Sequence, residues 1–368
     1  MPLNSIDEIV EDIRQGRMVI MLDDEDRENE GDLIMAGEKA TPESIAFFVR
    51  YTSGIICMPM TGERLEELRL PQMVSDNTEA HSTAFTVSVD YKHGTTTGIS
   101  AADRAHTIRA LTDPQSRPGD FTRPGHIFPL RYVEGGVLCR AGHTEASVDL
   151  TRLAGLDAHA AVICEIVNDD GTMKRGEALF EFAREHGIKI GTIADLIRYR
   201  MEKEQTVERI AENTLPTEFG DFRVLCYRDH STGTVHLAMV RGEIQGNEPT
   251  LVRVQLENTL RDVVGARWDA LGWPMRGTLE RVAREGGVIV ILREQEHAGD
   301  MVERIRHYPE APARHEERED GAAVLRTYGV GAQILVDLGV KRMRVLSAPK
   351  RMHGISGFGL EVVEYVDG

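Results

Sequence analysis

The sequence predicts a layered α/β (α+β) fold divided into two domains, and three observations support this expectation. At 368 residues, of which 41% are hydrophobic, the chain is too long for one ordinary core and apolar enough to build two. Strand and helix patterns are mixed without a regular strand-helix-strand repeat, and no dinucleotide-type glycine fingerprint is present, which disfavours a Rossmann fold. A polar stretch, Met201 to Thr217, marks a boundary. We therefore expect one domain over residues 1–204 and another over residues 205–368.

Charge, hydropathy and cysteine spacing limit the partners and the location of the protein. The formal net charge of −17 disfavours nucleic acid and anionic membranes, because both repel an acidic surface without a basic stripe. The longest apolar runs, such as Ala160 to Cys164, end long before the ~20 residues that a membrane span needs. The N-terminus lacks a basic region followed by an apolar block, so we expect no signal peptide and a cytoplasmic protein. The four cysteines lie far apart, which predicts reduced thiols and no Cys-x-x-Cys metal site.

In the N-terminal half, helix and strand signals follow one another from the first residues. Ser5-Ile-Asp-Glu8 is a capping box that begins a helix, and Gly16 ends it. The apolar runs Met18 to Leu22 and Leu33 to Ala36 predict two buried strands, with an acidic loop held between them. Further predicted strands are Ile55 to Met60, Ala84 to Val89, Gly136 to Cys139 and Ala161 to Val167, and further helices begin at Thr41, Ser100 and Ala146.

The C-terminal half begins with strands and ends with a helix and a short strand. Its predicted strands are Phe222 to Tyr227, Val235 to Val240, Leu251 to Leu256, Val288 to Leu292 and Arg344 to Leu346. Glu319 to Leu338 has the pattern of a long helix. We therefore expect a second folded domain with its own core.

The acidic stretch Asp23-Asp-Glu-Asp-Arg-Glu-Asn-Glu-Gly-Asp32 has two interpretations. A run of charges is usually a solvated loop. Its position between two buried strands instead favours a metal site, since carboxylates at strand ends offer Mg²⁺ the oxygen ligands it prefers and leave positions for substrate oxygens. Arg27 can pair with a carboxylate or bind a substrate phosphate.

Arg140-Ala-Gly-His-Thr-Glu145 is a second polar cluster, placed just before a predicted helix. Small residues at a helix start let backbone N–H groups approach an anion, and Arg140 and Thr144 add side-chain donors. The cluster predicts a phosphate site. His143 within it could donate to the phosphate, bind a metal ion, or serve only to cap and pack the helix.

Two further residues have the properties of catalytic groups. His126 lies in Arg123-Pro-Gly-His-Ile-Phe-Pro129, where two prolines and a glycine fix the backbone, as an acid or base requires, although an incidental histidine in a Pro-Gly turn fits equally well. Glu165 interrupts an apolar strand, and a carboxylate there is costly unless a metal, an arginine or a substrate hydroxyl pairs with it.

Taken together, these motifs resemble 3,4-dihydroxy-2-butanone 4-phosphate synthase over residues 1 to about 200. The resemblance rests on five motifs in the order of that family: Asp23–Asp32, Thr96–Arg104, Arg123–Arg131, Gly142–Ala146 and Asn168–Met173. It implies a homodimer with active sites near the subunit interface, ribulose 5-phosphate as substrate, formate as second product and two Mg²⁺ or Mn²⁺ ions per active site.

The resemblance also implies roles for individual residues. Glu28 and His143 match the metal ligands, and His126, Glu165 and Asp32 match catalytic positions. The matching substrate contacts are Arg27, Glu28, Asp32, Arg140, Ala141, Gly142, His143, Thr144 and Glu165. The reaction enolises a ketose, loses water, migrates carbon and expels C4 as formate, so it needs an electrophile and several proton transfers. Asp32, Glu165 and His126 are the candidates for these transfers, and the order among them stays open. Cys57 and Thr95 to Thr97 are further possible contacts, with a buried core position favoured for Cys57.

From Leu215 the chain resembles GTP cyclohydrolase II, but its catalytic positions differ from that family. The match lies in Leu215–Gly220, Tyr328–Leu335 and Leu338–Val340. The family's zinc cysteines, in Ser-Glu-Cys and Cys-Asp-Cys stretches, are replaced here by Leu256-Glu-Asn258 and Trp268-Asp-Ala270. A catalytic zinc needs about three protein ligands, so we expect no zinc and no opening of a purine ring. The nucleotide-holding stretch is altered to Glu294–Ala298, whereas Arg326 matches the catalytic arginine, and Tyr328 and Ser347–Lys350 could form part of a degenerate nucleotide pocket.

Several roles stay open at this point. The second half is either a folding or dimerisation partner that kept its core, or a module that binds a nucleotide or flavin precursor weakly. The whole chain is either the synthase, another metal-dependent sugar-phosphate lyase or isomerase that releases no formate, or a non-catalytic scaffold or regulator of riboflavin synthesis. The charged motifs of the first half argue against a scaffold, because burying such groups is costly.

Overall fold

Among the residues that it describes, the computed structural model contains two seven-stranded mixed sheets. The described residues are 3–24, 27–79, 81, 83–245, 248–266, 273–293, 302, 305–306, 321–347 and 358–366, with the backbone alone at 321–326 and 328. One sheet belongs to the unit Met1–Tyr199 and the other to the unit Arg200–Gly368. Within these described ranges, no helix is long and apolar enough to cross a membrane.

The first sheet combines parallel and antiparallel pairs. Its strands are β1 Val19–Leu22, β2 Gly31–Ala36, β3 Cys57–Met60, β4 Val89–Tyr91, β5 Phe121–Arg131, β6 Ala161–Glu165 and β7 Lys189–Thr192. They lie in the order β4-β5-β3-β6-β2-β1-β7. β2 pairs antiparallel with both β1 and β6, whereas β1 and β7, and β3 and β5, are parallel. This mixed sheet confirms the predicted absence of a regular strand-helix-strand repeat.

The helices of the first half are α1 Ile6–Arg14, α2 Pro42–Tyr51, α3 Gly62–Glu67, α4 Ala101–Thr112, α5 His143–Leu153, α6 Glu177–His186 and α7 Ile193–Lys203. Three of them, α1, α2 and α4, begin at the predicted caps. The Ser5 backbone N–H donates to Glu8 Oε2 at 2.9 Å, and the Glu8 N–H donates to Ser5 Oγ at 3.3 Å, which confirms the capping box. Thr41 forms a capping box at α2, and the Ser100 side chain accepts from the Asp103 N–H at the start of α4. Each such cap stabilises its helix by about 1 kcal/mol.

The core of the first unit lies where these helices cover the sheet. Fully buried side chains such as Ile20, Leu33 and Met58 from the strands pack with Phe48 of α2 and Ile108 of α4. Each large apolar side chain buried in this way contributes about 1.5–3 kcal/mol. The core therefore fixes the ends of β1, β2 and β6, where polar residues begin.

Two predicted strands were wrong, and local backbone geometry explains both. Between Ala84 and Val89 only isolated bridges form, because Phe85 pairs with Leu130 and Thr86 with Gln72, so no common ladder extends along the segment. The segment from Gly136 contains a 3₁₀ turn instead of a strand, since φ is 65° at Gly136 and 92° at the preceding glycine, outside the extended region. The helix predicted from Ala146 begins earlier, at His143.

The second unit carries the strands predicted from the sequence and two more. Its elements are β8 Val207–Thr217, β9 Gly220–Asp229, β10 Val235–Arg241, β11 Thr250–Leu256, α8 Met275–Glu285, β12 Gly287–Leu292, α9 Gly321–Asp337, β13 Arg342–Leu346 and β14 Glu361–Val366. The strand order is β14-β13-β11-β12-β10-β9-β8. The polar stretch expected at Met201 to Thr217 is largely the strand β8. As an edge strand with exposed side chains, β8 carries no apolar alternation to predict it.

A polar network fixes α9 to the edge of the second sheet. The buried Tyr227 donates its hydroxyl hydrogen to Asp337 Oδ2 at 2.6 Å, and Arg209 Nη2 donates to the same oxygen at 2.6 Å. Gln333 Nε2 donates to the carbonyl groups of Met201 and Glu204, both at 2.9 Å. Buried groups that are satisfied in this way rigidify a fold. The second unit is therefore a folded domain, as predicted.

Two glycines that flank α5 allow a direct test of packing at this helix. A Cβ added at Gly136 would lie 2.2 Å from Oδ1 of the buried Asp149, which cannot move aside because it accepts hydrogen bonds from Tyr132 and Val137. A Cβ at Gly155, which also has positive φ, would meet nothing within 4 Å. We expect Gly155→Ala to cost about 1–2 kcal/mol from backbone strain alone, and Gly136→Ala to cost about 1–3 kcal/mol more from overpacking.

Hydrogen exchange of peptides covering residues 143–153 measures both effects locally. Equal loss of protection in the two variants would show that the carboxylate of Asp149 is not held in place.

Candidate active site

Four elements of the first unit bring their polar residues together. Asp23 follows β1, Asp32 lies in β2, Glu165 ends β6, and His143 is the first residue of α5. Asp32 is the cross-strand partner of both Met21 and Glu165. The register of three adjacent strands therefore sets the positions of these side chains.

Asp23 organises the acidic loop between β1 and β2. Its Oδ2 accepts hydrogen bonds from the Glu28 N–H at 3.1 Å and from Arg27 Nη1 at 2.9 Å, and its Oδ1 accepts from the Glu30 N–H at 2.8 Å. Arg27 Nη1 also donates to Glu28 Oε2 at 2.8 Å. The loop is therefore an ordered turn around one buried carboxylate, and it presents Glu28 toward α5.

His143 is held with its Nδ1 facing two carboxylates. Its Nε2 lies 3.1 Å from the Met21 carbonyl oxygen, which can only accept, so in the neutral ring Nε2 carries the hydrogen and Nδ1 keeps its lone pair. Nδ1 lies 3.7 Å from Glu28 Oε2 and 3.6 Å from Asp32 Oδ1. Asp32 Oδ1 is buried and has no hydrogen-bond partner among the described residues. A buried carboxylate oxygen is costly in this state unless a ligand or a proton satisfies it.

The electrostatics of this cluster match that geometry. Burial raises the pKa of Asp32 to about 8, and the neighbouring carboxylates of Glu165 and Glu28 add to the shift. Burial by itself would lower the pKa of His143, but the carboxylates of Asp32 and Glu28 more than offset it and raise the value to about 9. The pKa of Glu28 falls to about 2, because His143 and Arg27 outweigh its burial. The cluster as a whole attracts positive charge.

The residues present fit a hard divalent cation. Asp23, Glu28 and His143 each offer a ligand atom, and these atoms lie within 4.8 Å of one another. Carboxylate oxygens suit Mg²⁺ and Mn²⁺, and an imidazole with its other nitrogen bonded to a carbonyl is the usual state of a metal-binding histidine. The unsatisfied Asp32 Oδ1 points to the same need.

The predicted phosphate cluster lies at the start of α5. Gly142 is the N-cap, and no side chain caps the helix there. Arg140 Nη1 donates to Glu145 Oε2 at 2.6 Å, and a Cβ on Gly142 would lie 2.4 Å from that Nη1 atom. Only glycine therefore lets this ion pair pack against the backbone. Arg140 Nη2 also donates to the His81 carbonyl at 3.0 Å, which holds the backbone at His81 close to Arg140.

The predicted catalytic residues fall into two places. Glu165 lies beside Asp32, and Ser53 Oγ donates to its Oε2 at 2.6 Å. His126 lies in β5, within a strand instead of a turn, and two strand positions away from β6. Its Nδ1 lies 2.7 Å from Asp90 Oδ2. Because adjacent strands are about 4.8 Å apart, His126 is separated from Glu165 by about 10 Å of sheet.

The other two candidates have structural contacts. Cys57 is buried in β3, and burial together with the charge of Glu165 raises its thiol pKa well above the usual range. All four cysteines are free thiols, as predicted. Thr96 Oγ1 donates to Asp103 Oδ2 at 2.7 Å, and Thr95 Oγ1 donates to the Tyr91 carbonyl. These contacts order the loop before α4.

Sequence reasoning did not single out several residues at the site. Asp23 was one of many carboxylates in its stretch, and only the structure shows that it is the one the loop folds around. Asp90 follows the segment wrongly predicted as a strand, so its position was obscured. Glu145 ends the motif Arg140 to Glu145. Its position one helical turn after Gly142 was the signal that could have indicated a partner for Arg140.

In the second unit, Asn258, at the position where the resemblance to GTP cyclohydrolase II implies a zinc cysteine, is engaged in protein contacts. The Asn258 side chain accepts a hydrogen bond from the Arg261 N–H at 2.9 Å, and Asp262 Oδ2 accepts from the Asn258 N–H at 3.0 Å. Arg261 also pairs with Asp262. The predictions on Trp268–Ala270 and Glu294–Ala298, on residues 348–350 and on the side chains of Arg326 and Tyr328 lie outside the described residues.

The chain has two α/β units, and the first contains a cluster of carboxylates and a histidine suited to a divalent cation. This arrangement is typical of a two-domain, metal-dependent enzyme. Residues 7–199 match the family of 3,4-dihydroxy-2-butanone 4-phosphate synthase, and residues 208–367 match that of GTP cyclohydrolase II. A curated relative from Pseudomonas aeruginosa, named 3,4-dihydroxy-2-butanone 4-phosphate synthase, is 52% identical over 367 residues, covering 100% of this chain and 99% of that protein. The chain belongs to the 3,4-dihydroxy-2-butanone 4-phosphate synthase family.

Solved structures are similar over the whole chain and over its first half. RibBX from A. baumannii, a two-domain 3,4-dihydroxy-2-butanone 4-phosphate synthase, has a TM-score of 0.83 at 43% identity and covers 98% of this chain and 99% of its own. A 3,4-dihydroxy-2-butanone 4-phosphate synthase in complex with two magnesium ions has a TM-score of 0.52 at 48% identity, covering 55% of this chain and 99% of its own. The two-domain α/β prediction is confirmed by the first of these.

Substitution of Glu28 tests the metal site directly. Removing a residue that merely orients a ligand costs about 10–100-fold in metal affinity, so Glu28→Gln should cost at least as much. Titration with Mn²⁺, followed by electron paramagnetic resonance, measures this change. Glu66→Gln is the matched control, because the Glu66 side chain is 69% exposed and pairs with Arg131. Unaltered Mn²⁺ affinity in Glu28→Gln would exclude Glu28 as a ligand.

Proposed function

We propose that the N-terminal unit converts D-ribulose 5-phosphate into 3,4-dihydroxy-2-butanone 4-phosphate and formate, a step in riboflavin biosynthesis. The observation that carries the proposal is the buried cluster of Asp23, Glu28, Asp32 and His143 beside the start of α5, within a chain that matches the synthase family over residues 7–199. The five-carbon substrate supplies every atom of both products, so no co-substrate is required.

We further propose that Glu28 and His143 hold two Mg²⁺ or Mn²⁺ ions per active site, and that no zinc is used. When bound, the ions would act as Lewis acids toward the ketone and hydroxyl oxygens of the sugar. The support is the Nδ1 lone pair of His143 facing Glu28, and the preference of hard cations for carboxylate oxygens. A solved relative carries two magnesium ions.

The chain's own residues supply the proton transfers and the phosphate site in this proposal. Burial raises the pKa of Asp32 to about 8, and its carboxyl group can take up and return a proton during the reaction. Glu165, oriented by Ser53, lies next to it. At the start of α5, Ala141, His143 and Thr144 have backbone N–H groups without a helical acceptor. The adjoining Arg140 and Gly142, whose own N–H groups donate to the carbonyls of Gly136 and Arg140, complete the proposed phosphate site. Together with Arg27, they would hold the substrate phosphate.

The separation of His126 from Glu165 supports a homodimer. We propose that His126 completes the active site of a second copy, since it lies about 10 Å from Glu165 within one sheet. Large apolar side chains are exposed in the same unit: Ile55, Met73, Val74 and Ile99 are each 46–53% exposed. Apolar groups exposed in this way are typical of a protein interface.

For the C-terminal unit we propose a structural or regulatory role without cyclohydrolase activity. The support is the replacement of all three cysteines and the way Asn258, Arg261 and Asp262 satisfy one another where the first would stand. A scaffold role for the whole chain is disfavoured, because Asp32 retains a buried, unpartnered oxygen that serves no scaffold.

An assay of the full-length, chelator-stripped protein tests both halves of the proposal. With ribulose 5-phosphate we expect formate release that requires added Mg²⁺ or Mn²⁺, because the buried carboxylates need a cation to engage the sugar. With GTP we expect no ring opening, even after Zn²⁺ is added. Absence of formate with metal present would overturn the synthase assignment, and GTP turnover would mean that zinc is held by other ligands.

Mixing two inactive variants tests whether His126 acts across the dimer. We expect Glu28→Gln and His126→Gln each to lose nearly all activity. If the two residues of one site come from different subunits, a mixed dimer contains one intact site and one doubly impaired site. In a refolded equimolar mixture, half of the dimers are mixed, and each mixed dimer has one intact site out of two. The mixture should therefore recover about a quarter of the wild-type rate. No recovery would place His126 and Glu28 in the site of the same subunit.

A further inference from the structure

We propose that Asp90 is a positioning residue that holds His126 with Nε2 unprotonated and free to accept a proton from the sugar phosphate. The inference rests on the proposed function, in which His126 is a catalytic residue. It concerns a residue that has no contact in the metal cluster and that none of the sequence motifs identified.

The carboxylate of Asp90 contacts His126 through both of its oxygens. Oδ1 accepts a hydrogen bond from the His126 backbone N–H at 2.9 Å, and Oδ2 lies 2.7 Å from Nδ1. A carboxylate can only accept, so Nδ1 of the neutral ring must carry the hydrogen and Nε2 must keep the lone pair. Because one carboxylate binds both backbone and ring, it fixes the orientation of the imidazole as well as its tautomer.

Two glycines make this close contact possible. A Cβ at Gly98 would lie 2.1 Å from Asp90 Oδ2, and a Cβ at Gly125 would lie 2.2 Å from the Asp90 backbone nitrogen. Thr122 Oγ1 adds a hydrogen bond to the Asp90 carbonyl at 3.2 Å. Asp90 is only 8% exposed, so it cannot be replaced readily by water as a partner of His126. The loop at Gly98 therefore packs closely against the Asp90 carboxylate, and strand β5 at Gly125 packs closely against the Asp90 backbone.

A buried arginine of α4 interacts electrostatically with Asp90. Arg104 of α4 is 7% exposed, and its Nε has no hydrogen-bond partner among the described residues. Burial lowers the pKa of Arg104, and its interactions with Cys164 and Asp90 oppose that shift. A buried guanidinium is costly without a negative group near it, and Asp90 is a carboxylate that interacts with it. The arrangement resembles that of hydrolases in which a buried aspartate orients a catalytic histidine.

A second histidine and aspartate pair in the same unit provides a matched control. His93 Nε2 lies 3.2 Å from Asp120 Oδ1, and the His93 side chain is 64% exposed. Asp120 makes no contact with the candidate catalytic residues within the described part of the chain. Asp120→Asn removes the same carboxylate charge from the same kind of pair, so it should leave kcat within twofold of wild type.

Asp90→Asn tests the inference. Its amide can still accept from the His126 N–H, but its NH₂ group then faces Nδ1 and forces the hydrogen onto Nε2. We expect kcat for formate release to fall by about 10²–10⁴-fold, by analogy with loss of the orienting aspartate in hydrolases, with KM for ribulose 5-phosphate within about threefold. Nitrogen NMR of the holoenzyme, with the His126 signal assigned from His126→Gln, should show the tautomer reversed. The double variant Asp90→Asn/His126→Gln should be no slower than His126→Gln alone, since the two residues act as one unit.

Several results would overturn the inference. These are wild-type kcat in Asp90→Asn, an unchanged tautomer, or a double variant in which the two losses multiply. If Asp90→Asn does not fold, Asp90→Glu serves instead. Its longer side chain cannot make both contacts, so we expect at least a tenfold loss of kcat, and full activity would contradict the proposal. Failure of the wild-type protein to release formate would contradict the proposed function instead. The nitrogen NMR signal of His126 would still test its contact with Asp90.

Discussion

Burial of Asp32 between two neighbouring strands is the constraint on which the rest of the first unit's site depends. One row across β1, β2 and β6 contains Met21, Asp32 and Glu165. The Met21 carbonyl fixes the tautomer of His143, and Asp32 and Glu165 become neighbours because their strands pair at that register. A slip of β2 by one residue would turn Asp32 to the opposite face of the sheet. The apolar core that holds these strands therefore determines the chemistry at their ends.

The acidic loop shows how a cluster of like charges becomes ordered. Asp23 accepts hydrogen bonds from two backbone N–H groups and from Arg27. These bonds add to the backbone turn bonds that Arg27 and Asn29 donate to the Asp24 carbonyl. The carboxylate of Glu28 is directed at His143. Burial without full pairing is unfavourable for stability, and such unfavourable placements are retained mainly at functional sites. The first unit thus accepts a local cost in stability at its candidate site.

In the second unit, the packing does not depend on the residues where the resemblance to GTP cyclohydrolase II implies zinc ligands. The sheet and α8 share a buried apolar cluster, and the network of Tyr227, Asp337 and Arg209 holds α9. Asn258, at one implied ligand position, makes hydrogen bonds of its own. Packing depends on the apolar pattern of many residues, but a zinc site depends on three or four ligands. A fold can therefore persist without such ligands, which is why a resemblance in fold does not by itself establish activity.

The sequence by itself determined the two-domain α/β class, the capped starts of α1, α2 and α4, and the strands with apolar runs, because caps and apolar periodicity are local signals. It also located the acidic stretch and the cluster from Arg140 to Glu145. Only the tertiary structure decided that Asp23 is the centre of its loop, that His126 pairs with Asp90, and that the polar edge strand β8 is a strand at all. These features depend on strand register and on contacts between residues far apart in the chain, which no local pattern encodes.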